Sequence, residues 1–127
     1  MTETEREMVI ALAGEARGPK RNGLFALWLI TRVAEGVLPP DPVSLRSHRR
    51  RVDRLQRRLT SVSVPAPLRR AFPATLRHLT EGTPRAVALG LRQLVAPTRE
   101  SIGPGIAELL AAAADRAHQQ TAEVEAT

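Results

Sequence analysis

Three histidines, His48, His78 and His118, are the residues of this 127-residue chain with the widest chemical range, because an imidazole carries protons near neutrality and ligates metals. Their neighbours do not support either role. His78 precedes Glu81 by three residues and Asp115 precedes His118 by three. A di-metal carboxylate bundle needs Glu-x-x-His twice, plus two further glutamates. Cysteine is absent, which removes thiolate metal sites, iron–sulfur clusters, disulfides and a thiol nucleophile. Gly103-Pro104-Gly105 lacks the Lys-Ser/Thr ending of a phosphate loop and any strand before it, and no serine lies in a nucleophile elbow. No catalytic residue, metal ligand or cofactor site is assigned, and the expectation is a non-enzymatic protein.

Arginine carries the remaining chemistry. Eighteen of the nineteen basic residues are arginine, for a net charge of +6 and a sequence pI near 11.5. A GC-rich genome would raise arginine everywhere, so placement matters more than number. Between Pro42 and Thr60 stand seven arginines (Arg46, Arg49, Arg50, Arg51, Arg54, Arg57 and Arg58) against one acid, Asp53. The rest of the chain balances, twelve basic residues to twelve acidic, so the whole net charge lies on this segment. Leu45, His48, Val52, Leu55, Leu59 and Val62 recur there at intervals of three and four, an apolar helical seam. At 100° per residue, Arg46, Arg50, Arg54 and Arg57 fall opposite the seam, with Arg49, Arg51 and Arg58 on its flanks.

Like charges at i, i+4 cost a few tenths of a kcal/mol per pair, so the arrangement is unfavourable unless an anion meets it. Three readings compete: a solvated face with arginine stems over apolar surface, a nucleic-acid backbone, or an acidic protein surface or lipid headgroup. Nucleic acid is preferred, since codon bias does not explain why acids are withheld from this segment alone. The protein is then a nucleic-acid-binding domain or a small subunit of a nucleoprotein complex. The alternative is a helical interaction module or assembly subunit whose basic helix meets an acidic protein partner, in a homo- or hetero-oligomer.

The ligand mode can be narrowed further. There is no Tyr, Phe25 and Trp28 fall inside an apolar core helix, and Phe72 lies on an apolar stripe, which leaves no ring for base stacking. Backbone contact with little sequence preference is what remains. Arg70 with Arg77, and Arg85 with Arg92, would extend the surface, although ordinary solvent exposure is the better account of them.

The elements that must position this helix are punctuated by Pro, Gly and capping residues. The first helix is expected from Glu3 to Arg17, opened by Thr-x-x-Glu boxes, with Met8, Val9, Leu12 and Ala16 as its stripe. A Lys20–Gly23 turn leads to a second, core helix from Leu24 to Glu35, with Trp28 buried in it. Asp41 as N-cap and Pro42 in the first turn open the basic helix, which runs to Thr60. A fourth follows the face of Leu68, Phe72, Leu76 and Leu79 and is kinked or split at Pro73. The fifth starts at Thr83-Pro84 and stops before Pro97. An irregular turn over Ser101–Gly105 precedes the sixth, from Pro104 to Gln119. The fold expected is all-α: one compact bundle of five to six helices with Pro/Gly-rich connectors over residues 1–119, and a polar, disordered tail over 120–127.

The longest uninterrupted apolar run, Leu24 to Ile30, is far short of the roughly 20 residues that span a bilayer. The acidic start, Thr2 to Glu7, is the reverse of a secretory leader. A cytoplasmic protein without a membrane segment is expected.

Overall fold

A computed structural model describes residues 2–14, 17–39 and 41–126, with side chains as far as Thr121. Among them the chain forms six helices and no strand: α1 (Glu3–Gly14), α2 (Pro19–Glu35), α3 (Leu45–Thr60), α4 (Ala66–Glu81), α5 (Pro84–Ser101) and α6 (Pro104–Ala126). The all-α bundle expected from the sequence is the observed architecture. No helix among the described residues is long and apolar enough to cross a membrane.

Two-residue connections make α4, α5 and α6 successive antiparallel neighbours. α2 lies at the centre, packed against α1, α3, α4 and α5, while α1 also reaches α6. Leu27, Ile30 and Ala34 of α2 form one buried core with Met8, Leu68, Leu91, Leu94 and Leu110 from the surrounding helices. At the close approach of α4 and α5, a Cβ on Gly90 would stand 3.3 Å from the Thr75 carbonyl and 3.4 Å from the His78 Cβ. A side chain there would press on α4 and require it to give by a few tenths of an ångström. Glu35, near the end of α2, takes a guanidinium hydrogen bond from Arg116 of α6 at 3.1 Å, and Arg116 also donates to the Thr4 hydroxyl.

Several boundaries differ from those expected. The Glu15 and Ala16 positions of the first helix lie outside the described residues, and Arg17 is in a bend. Of that helix's expected stripe Met8 is buried, whereas Val9 is 37% exposed. Helix α2 begins at Pro19, so Lys20–Gly23 is helical rather than a turn. Gly18, at φ 101°, makes the break, and the fixed φ of Pro19 suits a first helical turn. Helix α3 starts at Leu45 with Ser44 as N-cap, its hydroxyl accepting from the Ser47 N–H at 3.2 Å. Asp41 is not the cap because Val43 N–H donates to the Gly36 carbonyl at 2.8 Å, which closes the connector onto the end of α2.

Helix α4 runs through Pro73 unsplit, and α5 runs through Pro97 to Ser101. Each proline deprives the carbonyl four residues earlier of its donor. Those carbonyls belong to the exposed residues Arg69 and Gln93, where water can replace the lost bond. The expected irregular turn is reduced to Ile102-Gly103, whose N–H groups both donate to the Thr98 carbonyl. Helix α6 continues to Ala126, well past Gln119, so the segment expected as a disordered tail is helical up to that residue.

Candidate functional site

Four seam residues of α3, His48, Val52, Leu55 and Leu59, are buried against the rest of the bundle. Burial of the three aliphatic side chains contributes about 1.5–3 kcal/mol each. That exceeds the like-charge cost on the opposite face, a few tenths of a kcal/mol per pair. The seam therefore holds the basic face in place despite its self-repulsion. His48 is fully enclosed, and its Nε2–H donates to the Leu79 carbonyl at 2.5 Å, fastening α3 to the end of α4. The two ends of the seam are looser: Leu45 is 45% exposed, and Val62, beyond the helix, is half-buried.

All seven arginines of α3 are exposed. None forms an ion pair among the described residues, and neither does Asp53 in their midst. Elsewhere arginines do find acids: Arg92 meets Asp115 at 2.7 Å and Arg116 meets Glu35.

The seven divide by direction. Arg46, Arg50 and Arg57 point away from the bundle, opposite the seam. Arg49 lies toward α4, on the side of Gln56 and Thr60. Arg51, Arg54 and Arg58 turn toward α2 and line a groove between the two helices, together with Leu29, Arg32, Val33 and Leu55. The groove comprises two adjoining hollows of about 570 and 310 Å³ that share Arg32, Arg51 and Arg54. Arg54, expected on the outward face, is thus a groove residue.

Sequence reasoning missed the α2 wall of this groove. Arg32 supplies a fourth guanidinium, stacked 4.9 Å from the Trp28 ring centroid. Arg58 stacks on Phe25 at 5.3 Å, and the two rings are 5.8 Å apart, tilted by 35°. Phe25 and Trp28 were expected inside the core; both are only half-buried, and they lie at the surface beneath arginine side chains. The spacing Phe25, Trp28, Leu29, Arg32 is one helical stripe, but it was hidden by a helix that is apolar nearly all round.

On the other flank of α3 a hollow of about 680 Å³ has an apolar floor of Leu59, Val62, Phe72 and Leu76, with Arg69 and Arg77 at its edge. No α3 arginine lines it. Arg70 and Arg85 are exposed, and Arg92 is occupied by Asp115. Among the described residues no group of three His, Asp or Glu side chains is placed to hold a metal ion.

No protein-family model, curated protein or solved structure matches the chain.

Proposed function

We propose that this chain is a non-enzymatic nucleic-acid-binding protein of the cytoplasm, acting alone or as a small subunit of a nucleoprotein complex, and that it grips the phosphate backbone through the arginines of α3. One observation carries the reading: the entire net charge lies on a single exposed helix face, and its seven guanidiniums have no ionic partner among the described residues. Guanidinium forks match phosphate oxygens in geometry and charge, and they do so without reading base sequence. The groove toward α2 widens the contact by adding Arg32.

A second reading is favoured by the hollow between α3 and α4. Its apolar floor, edged by Arg69 and Arg77, suits an acidic amphipathic segment of a partner protein. Fluorescence anisotropy with a labelled oligonucleotide at about 50 mM salt separates the two, since non-specific dissociation constants of roughly 10⁻⁴ to 10⁻⁶ M are expected even at higher salt. Micromolar binding that polyglutamate displaces poorly supports the first reading. Binding to polyglutamate, with none to DNA or RNA, replaces it with the second.

A further inference from the structure

We infer that the α2–α3 groove takes single-stranded nucleic acid, with bases stacking at the Phe25–Trp28 pair while phosphates are held by Arg32, Arg51, Arg54 and Arg58. This rests on the backbone-binding reading of α3 and adds the class of ligand to it.

The placement of the residues carries the argument. Arg51 stands by Gly36, Arg54 and Arg32 line the same hollows, and Arg58 covers Phe25, so α2 and α3 run antiparallel. Passing along α2 from Gly36 back to Phe25, over about 16 Å at 1.5 Å per residue, the arginines of the groove come to lie over aromatic rings. Single-strand channels combine these two features: a positive track for the backbone and π-faces for successive bases. Both rings are half-buried, anchored at one side and reachable at the other. What covers them is the ends of Arg32 and Arg58, both exposed side chains that can lift and close again over an inserted base, since guanidinium planes stack on bases as they do on rings. Two acids border the groove, Glu5 and Glu35. One Glu35 oxygen accepts from Arg116, on the α6 side, and Arg32, Arg51 and Arg54 have no ion pair among the described residues. A duplex keeps its bases stacked inward and would use only the phosphate contacts.

Trp28 is the sole tryptophan, so its fluorescence reports on the groove directly. The test titrates the intact protein with oligo(dT), with a duplex of equal length, and with inorganic polyphosphate, which has charge but no bases. Oligo(dT) should quench Trp28, whereas duplex and polyphosphate should bind without comparable quenching. Phe25→Leu should weaken oligo(dT) at least fivefold, from the loss of one stacking partner, and leave polyphosphate affinity unchanged. Trp28→Phe, which keeps a ring, should retain affinity for oligo(dT), and circular dichroism of both variants checks that the fold persists. If oligo(dT) binds wild type and Phe25→Leu equally and leaves Trp28 unquenched, stacking is overturned and the backbone reading survives. If none of the three polyanions binds, both fall.

Discussion

At His48 a single side chain joins the basic helix to the bundle. The spacing of the seam located it correctly, on the buried side of α3. Its partner was not legible, because the Leu79 carbonyl arrives from another helix. That carbonyl also accepts from the Gly82 N–H at 3.1 Å, so removing the imidazole does not orphan it. Nδ1 is buried without a partner. His48→Leu should therefore cost no more than about 1 kcal/mol in urea unfolding, as the apolar replacement offsets one hydrogen bond. His48→Ala, which leaves a cavity, should cost about 2–4 kcal/mol. Equal losses would mean that the hydrogen bond, not the volume, holds the seam. Gly82 beside it adopts a left-handed φ of 72° at the end of α4. A Cβ there would stand 2.6 Å from the Leu45 Cδ1, the flexible end of a half-exposed side chain that can move aside. Gly82→Ala should then cost about 1–2 kcal/mol in the same assay, mainly from backbone conformation.

The helices themselves were largely legible, because periodicity and punctuation agree over long stretches; their ends were not. Asp41-Pro42 has the residue types of a helix start, yet Ser44 performs the capping, since a tertiary hydrogen bond from Val43 to Gly36 commits the preceding residues to a loop. Ser44→Ala should lower stability by about 1 kcal/mol, and Asp41→Ala should change it by less than about 0.5 kcal/mol. A larger effect at Asp41, read from thermal or denaturant unfolding, would contradict the observed cap. Pro73 was read as a kink or split and Pro97 as a stop because local rules count the lost hydrogen bond. Those rules take no account of whether the freed carbonyl faces water.

At the scale of the whole molecule, the sequence revealed that charge is concentrated on one helix, and the residues of that cluster could be named from it. It did not reveal which neighbour the cluster shares. Which apolar side of α2 turns outward depends on where α3 packs, and so Arg32 as a groove residue, and Phe25 and Trp28 as rings beneath groove arginines, emerged only from the tertiary arrangement. The central claim is that α3 is a binding site rather than one part of a uniformly basic protein. The salt dependence of oligonucleotide affinity tests this most directly, because each phosphate contact to a single strand contributes a slope of about −0.7 in log K against log salt. Arg51 and Arg54 are exposed on the groove side of α3; Arg85 and Arg99 are exposed on α5, with no ion pair among the described residues. Changing either pair to glutamate alters the net charge by the same amount. The account predicts that the Arg51/Arg54 variant loses about 1.4 units of slope while the Arg85/Arg99 variant keeps nearly all of it. Equal loss in both variants would contradict it, showing that total charge attracts the ligand and no site on α3 does.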